Sequence, residues 1–198
     1  MARKLAMSVL GNGLCAANHD DEALSVKEAE LSMLRRVGAS EDRILAAQTN
    51  LSTTYACIGR LEQALQMDRE VYCGRVKLNG NQHEETLIAA NNYADDLVNL
   101  QRFEEARTLL RKTMPVARRV LGECHRLTLK IRRVYAKAIY KNPAAPLDDL
   151  REALTTLEDT ERTARRVLGG AHPTTKGMEG ALREARAALR ARETPSAR

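Results

Sequence analysis

One seven-residue pattern occurs three times in the sequence: GNQHEET at residues 80–86, GECHRLT at 122–128 and GGAHPTT at 169–175. In each copy a histidine follows the glycine by three residues and a threonine follows it by six. The copies begin 42 and 47 residues apart, and Gly38 precedes the first copy by another 42 residues. Self-similarity at a nearly constant period of this length indicates a repeat protein.

The glycine of each copy is predicted to end a helix. A cation lies three residues before each of the four glycines, where it faces the negative end of a helix dipole, and glycine supplies the left-handed position that follows. These cations are Arg35, Lys77, Arg119 and Arg166. The threonines are predicted to cap the next helix; they are Thr86, Thr128 and Thr175. The histidines are expected to pack and hydrogen-bond within their loops, because copies a full repeat apart do not share one metal ion.

A second break divides each period into two helices. It lies at Gly59-Arg60-Leu61 and at Gln101-Arg102-Phe103, and a small residue, Ala64 or Ala106, follows three residues later, where two helices are expected to cross closely. In the third unit the break is an insertion at residues 141–146, whose prolines favour an extended linker. The predicted helices are 2–16, 21–37, 42–58, 61–78, 86–100, 103–121, 128–141, 147–168 and 174–192.

We therefore predict an all-α fold in which antiparallel helix pairs stack along one domain, residues 1–192. The predicted units are 2–41, 42–85, 86–127 and 128–173, and a capping helix, 174–192, follows them. Residues 193–198 are predicted to be a disordered tail. Pro115 falls inside a predicted helix, from which it should remove one hydrogen bond.

The composition of the 198 residues favours helices and argues against several site types. Hydrophobic residues make up 43%, mostly Ala and Leu, whereas aromatic residues make up 3%. The net charge is +6, but the basic residues are interspersed with 26 acidic ones. The four cysteines (Cys15, Cys57, Cys73, Cys124) form no CxxC pair, so we expect no metal and no cofactor. With no membrane-length apolar run, a soluble cytoplasmic protein is predicted.

Several of these motifs resemble the 42-residue tetratricopeptide repeat of kinesin light chains. The resemblance rests on Asn91-Asn92-Tyr93-Ala94, Gln101-Arg102-Phe103-Glu104-Glu105-Ala106, Val120-Leu121-Gly122-Glu123-Cys124-His125 and Leu168-Gly169-Gly170-Ala171-His172-Pro173. It implies a right-handed superhelical solenoid whose first helices line a concave groove for partner peptides. The pattern is specific for the repeat type and not for a motor subunit, and no heptad segment accompanies it.

Two sets of residues are predicted to line this groove. By the resemblance, Asn50 and Asn92 would hydrogen-bond the backbone of an extended peptide, whereas Val134 takes that place in the third unit. Thr53, Asn91, Asp95 and Asn99 complete the polar lining. Independently, four basic residues recur at i, i+3, i+7 and i+11 and so share one helix face; they are Lys130, Arg133, Lys137 and Lys141. This face is either a solvated surface or an electropositive pocket for an acidic peptide, modulated by Asp95.

The sequence thus predicts a protein–protein interaction scaffold or adaptor that binds a partner protein or peptide, with acidic peptides as the first candidates. The alternatives are a structural piece of a larger repeat scaffold, which includes self-association, and a basic helical-repeat RNA-binding protein. The scarcity of aromatic residues for base stacking and the interspersed acids argue against RNA. No enzymatic activity is predicted, because the sequence has no phosphate-binding glycine loop and no Ser/His/Asp arrangement.

Overall fold

The computed structural model describes residues 19–193, and in this range the chain forms eight α-helices joined by short connections. The helices are α1 (Asp20–Arg36), α2 (Glu41–Cys57), α3 (Leu61–Asn79), α4 (Glu84–Asn99), α5 (Phe103–Leu121), α6 (Arg126–Tyr140), α7 (Leu147–Leu168) and α8 (Pro173–Glu193). Within each of the two units described below, consecutive helices pack as antiparallel pairs, so the predicted all-α repeat fold is confirmed. The predicted helix at 2–16 and residues 194–198 of the predicted tail lie outside the described residues, and Glu193 ends α8.

The chain divides after Asn81 into two compact units. In the first unit, α2 packs against both α1 and α3. Its core is formed by leucine and alanine side chains that recur at helical spacing, among them Leu31, Leu51 and Ala64. At Gly74 of α3 an added Cβ atom would lie 2.6 Å from a terminal methyl group of Leu45 in α2, so a larger residue there would require the Leu45 side chain to move. The assignment of residues 1–192 to one domain stays a prediction.

In the second unit α6 is the central helix. It packs against α5 and α7, its neighbours in sequence, and also against α4 and α8, the first helices of the adjoining repeats. Its apolar side chains are accordingly inaccessible to solvent, with Ile131, Val134 and Ile139 at 0% exposure. Ala106, which is predicted to lie at a close helix crossing, and Ala153 of α7 are also fully buried. This packing leaves one polar face of α6 between α4 and α8.

The glycines end helices as predicted, but three of them have a different backbone conformation. Gly80, Gly122 and Gly169 follow α3, α5 and α7 with φ values of 77°, 91° and 86° and ψ values of 172°, 161° and 157°. These angles lie in the extended region of positive φ, which is restricted to glycine, and not in the left-handed helical region. The prediction of a helix stop is therefore confirmed, whereas the predicted left-handed conformation is wrong.

Histidine, not threonine, caps the first helices of the second unit. The Nδ1 atoms of His83, His125 and His172 accept backbone N–H bonds two residues ahead, at 3.2, 3.3 and 3.1 Å. The prediction that threonine caps these helices is therefore wrong. The three threonines are at most 2% exposed, and Thr175 donates its hydroxyl proton backwards to the Gly169 carbonyl at 2.8 Å. All three lie inside their helices; Thr175 thereby joins α8 to the preceding loop, and Thr128 donates to the Ala117 carbonyl of α5 at 3.5 Å.

The insertion after α6 forms an ordered connection to α7. Ala145 in its centre is buried, and Arg192 of α8 donates hydrogen bonds to the carbonyl oxygens of Pro143 and Ala145.

Pro115 lies on the exposed side of α5, which continues to Leu121. Among the described helices, none combines the length and apolar composition that crossing a lipid bilayer requires.

Candidate functional site

The first helices of the second unit, α4, α6 and α8, lie side by side and bring equivalent repeat positions together. Lys137 Nζ of α6 lies 2.8 Å from Asp95 Oδ1 of α4, one repeat earlier in the sequence. Lys141 Nζ lies 2.9 Å from Glu184 Oε2 of α8. We call the polar face of these helices the inner surface; it comprises Asn91, Asn92, Asp95, Asn99, Lys130, Arg133, Lys137, Lys141 and Glu184.

The C-terminal half of α6 is electrically neutralised on the inner surface. Lys137 donates hydrogen bonds to Asp95 and also to Asn99 Oδ1, at 2.9 Å, and its side chain is only 20% exposed. The ammonium group of Lys141 lowers the pKa of Glu184, first by hydrogen bonding and then by charge attraction, although partial burial opposes this shift. Two of the four predicted cations are therefore occupied by carboxylates of the same unit.

The N-terminal half of α6 is positive and lacks such partners. Within residues 19–193, neither Lys130 nor Arg133 forms an ion pair or hydrogen bond with a carboxylate. α6 has no acidic residue in its first turn, where Arg126 lies instead. Partial burial, followed by repulsion from Arg126 and Arg133, lowers the pKa of Lys130. We call Arg126, Lys130 and Arg133 the cationic patch; a bound anion would relieve its internal repulsion.

The asparagines of α4 border this patch. Asn91 is 91% buried, and within the described residues its Oδ1 atom has no hydrogen-bond partner. Asn91 occupies the repeat position equivalent to Arg133, 42 residues later. Asn92 is half-buried on the same helix. A buried acceptor without a donor is costly, and because this oxygen is inaccessible to solvent, a bound molecule would reach it only after rotation of the Asn91 side chain.

Asn50 and Thr53, the other predicted groove residues, lie on α2 in the first unit. Thr53 is exposed, and its hydroxyl donates to the Thr49 carbonyl at 3.1 Å. Asn50 is half-buried, and its backbone carbonyl oxygen lies 3.3 Å from Lys27 Nζ. Their role in peptide binding stays a prediction.

Sequence reasoning missed a buried lysine in the first unit. Lys27 is 4% exposed, and its ammonium donates to Thr54 Oγ1 at 2.8 Å. The signal was available, because Lys27 falls at core spacing between Leu24, Leu31 and Leu34 on α1. Its oxygen partners satisfy the buried charge, which indicates a structural role.

A separate concavity of about 410 Å³ opens in the second unit between the α4–α5 turn and the inserted connection. Phe103 and Pro146 form part of its wall. Its carboxylates already have partners: Glu104 accepts from Asn142 and Arg107, and Glu105 forms two bonds with Arg102. Within the described residues, no group of three His, Cys, Asp or Glu side chains is arranged to hold a metal ion.

The tetratricopeptide repeat family model matches residues 44–85 and 86–126, the two repeats without the insertion. These segments are tetratricopeptide repeats. Repeats of this family are typically protein-interaction scaffolds and are generally non-catalytic. No curated protein matches the chain.

Solved structures share the tetratricopeptide fold at low sequence identity. Two of them are crystal structures of nearly identical TPR-like repeats from a candidate kinesin light chain of Podosopora anserina, and both are 21% identical in sequence to this chain. Their TM-scores are 0.78 and 0.76. Each alignment covers 96% of this chain and 88% or 89% of the other chain. BtubC (BKLC) from P. vanneervenii is 17% identical, with a TM-score of 0.65 over 97% of this chain and 82% of its own. A Rap protein complexed with Competence and Sporulation Factor is 14% identical to this chain, with a TM-score of 0.58; the alignment covers 95% of this chain and 53% of the Rap chain. These likenesses establish a kinesin light chain-like helical repeat fold.

Proposed function

We propose that this tetratricopeptide protein is an interaction module that binds an extended acidic segment of a partner protein at the cationic patch. The observation that carries the proposal is that Lys130 and Arg133 have no carboxylate partner within the described residues, although their helix neighbours Lys137 and Lys141 do. Uncompensated charge on a helix face that adjoins two other first helices favours a ligand of opposite charge.

The two patch residues suit carboxylates in different ways. Lys130 and Arg133 are three residues apart on α6, so their side chains leave the helix on the same face. The planar guanidinium of Arg133 can bind one carboxylate through two hydrogen bonds, whereas the Lys130 ammonium acts as a point charge. Burial is the first cause of the lowered pKa of Lys130, and an acidic ligand would offset the second, which is repulsion from Arg126 and Arg133. Successive acidic residues of an extended segment supply such a pair of carboxylates.

The asparagines of α4 would act on the main chain of the ligand. The buried Asn91 oxygen is an acceptor without a donor, and after rotation of its side chain it would accept a backbone N–H of an extended segment. Asn92 would contribute the amide contact that the resemblance to kinesin light chain repeats implies. Main-chain contacts from α4 and charge contacts from α6 would together select segments that are both extended and acidic.

The neutral half of the inner surface gives the ligand a preferred position. Asp95 and Glu184 neutralise Lys137 and Lys141, and both would repel further acidic residues. We therefore place the acidic residues of the partner at the N-terminal half of α6. The Rap structure, in which a protein of this fold is complexed with Competence and Sporulation Factor, supports a binding role for such an array.

The proposal is tested by fluorescence anisotropy with a labelled dodecapeptide of alternating Glu and Ala, and with a Gln/Ala peptide as the neutral reference. Lys130→Glu combined with Arg133→Glu is expected to weaken binding by about tenfold or more. The matched control is Arg119→Glu with Arg166→Glu, the same charge change at exposed positions of α5 and α7. Equal losses in both double variants, or no binding of the acidic peptide to the wild type, would overturn the proposal.

A further inference from the structure

Two glycines inside α8 have no packing reason to be glycine. Gly177 and Gly180 lie within the helix, where glycine is the least favourable residue apart from proline. A Cβ atom added at Gly177 would meet no atom within 4 Å, and one added at Gly180 would meet only a side-chain nitrogen of Arg183, at 4.0 Å. Alanine would fit at both positions and favour the helix, so their glycines leave space that the fold does not fill.

These glycines lie on the helix that adjoins the cationic patch, at repeat positions equivalent to two of its residues. Gly177 follows Lys130 by 47 residues and Gly180 follows Arg133 by 47, which is the repeat length across the insertion. α6 and α8 are in contact, and the Lys141–Glu184 ion pair joins this same face of α6 to α8. The exposure of the side chains agrees with this register. The two cations and the two glycines are exposed or half-buried, whereas the next residues in sequence after Arg133 and Gly180, which are Val134 and Ala181, are both core residues. The repeat register therefore assigns to the two cations, on the adjoining helix α8, equivalent positions that carry no side chain.

The unsatisfied asparagine falls in the same row. Asn91 on α4, Arg133 on α6 and Gly180 on α8 are equivalent repeat positions on three neighbouring helices. Along this row, Asn91 has a buried oxygen without a hydrogen-bond donor, Arg133 has a guanidinium without a carboxylate partner, and Gly180 has no side chain. The oxygen and the guanidinium each need a partner, and the glycine supplies room for the chain that would carry it.

Building on the proposed function, we infer that Gly177 and Gly180 are specificity-determining residues that form the floor of the peptide path. They allow the main chain of the acidic segment to lie against α8 while its carboxylates reach Lys130 and Arg133. Larger side chains at these positions would occupy that path and push the segment away from the cations. The two glycines would thereby exclude partners whose bound segment does not lie flat and extended.

The inference is tested by adding side chains of two sizes to α8 and measuring binding of the Glu/Ala dodecapeptide. Gly177→Ala with Gly180→Ala is expected to raise Tm and to change the affinity less than about threefold, because a methyl group is small. Gly177→Leu with Gly180→Leu is expected to keep Tm at or above the wild-type value and to weaken binding by about tenfold, because leucine fills the path. Thr108→Leu, on the exposed side of α5, is the control for an added leucine.

The outcomes separate the two proposals. If the wild type binds the peptide, the Lys130→Glu/Arg133→Glu variant does not, and the leucine double variant binds like the wild type, the peptide path over α8 is wrong and the proposed function stands. If the wild type does not bind, both are overturned. Should the leucine double variant fail to fold, the single variants Gly177→Leu and Gly180→Leu replace it, and wild-type affinity in both would overturn the inference.

Discussion

Gln101 holds a backbone conformation that favours glycine. Its φ is 60°, whereas the residue one repeat earlier, Gly59, has φ 78°. A side chain in the left-handed region is strained, and glycine relieves that strain at a smaller cost in chain entropy. Gln101→Gly should therefore raise the free energy of unfolding by about 0.5–1 kcal/mol, measured by urea denaturation. The control, Gln66→Gly inside α3, should lower it; a decrease in both variants would contradict the explanation.

His125 shows how one side chain can decide where a helix begins. Its Nδ1 atom accepts the Leu127 N–H bond at the start of α6. His125→Ala removes this cap and should lower the free energy of unfolding by about 1 kcal/mol, whereas His125→Asn should keep most of it, because asparagine also caps helices. Denaturation of the three proteins measures the difference. Equal losses in both variants would show that the ring stabilises the protein by packing and not as an acceptor.

At the scale of the helix pair, the Lys141–Glu184 contact joins α6 to α8. Because Lys141 lowers the pKa of Glu184 below 4.5, the ionised carboxylate stabilises the folded state. Its contribution is complete above pH 4.5 and is lost as the pH falls through the lowered pKa. Both side chains are about half exposed, which limits the effect to about 0.5 kcal/mol. The difference in unfolding free energy between wild type and Glu184→Gln should therefore be present at pH 7 and absent in strong acid.

Denaturant titrations at neutral and acidic pH provide this measurement. Lys141→Gln breaks the same pair from its other side, so it should show the same loss of stability at pH 7 and the same convergence with the wild type in acid. A difference that persists at low pH in the Glu184→Gln protein would mean that the glutamate acts through packing.

The sequence predicted the helices closely because their signals are local. The predicted bounds of α5 and α7 agree with the structure, and α4 and α6 begin two residues earlier than predicted, since the histidine and not the threonine is the cap. The four-cation face of α6 was likewise a local pattern. The ion pairs of these cations were not a local pattern, because Glu184 lies 43 residues beyond Lys141 and the insertion obscures the repeat alignment. The division of this face into a neutral and a positive half therefore required the structure.

At the scale of the whole molecule, the net charge of +6 says little about where an acidic partner binds, because carboxylates on α4 and α8 offset two of the four cations on α6. Removing those carboxylates tests whether local field controls affinity. Asp95→Asn with Glu184→Gln releases Lys137 and Lys141 and should strengthen binding of the Glu/Ala dodecapeptide by about three- to tenfold at low salt.

The gain in affinity should shrink as salt is added, because exposed charges are screened. The matched control is Glu158→Gln with Asp159→Asn, which removes two carboxylates from α7 and raises the net charge by the same amount. If charge alone mattered, both double variants would bind more tightly by the same factor. A gain confined to the Asp95→Asn/Glu184→Gln protein would locate the acidic segment on the inner surface, whereas equal gains would show that peptide binding follows the net charge and not this face.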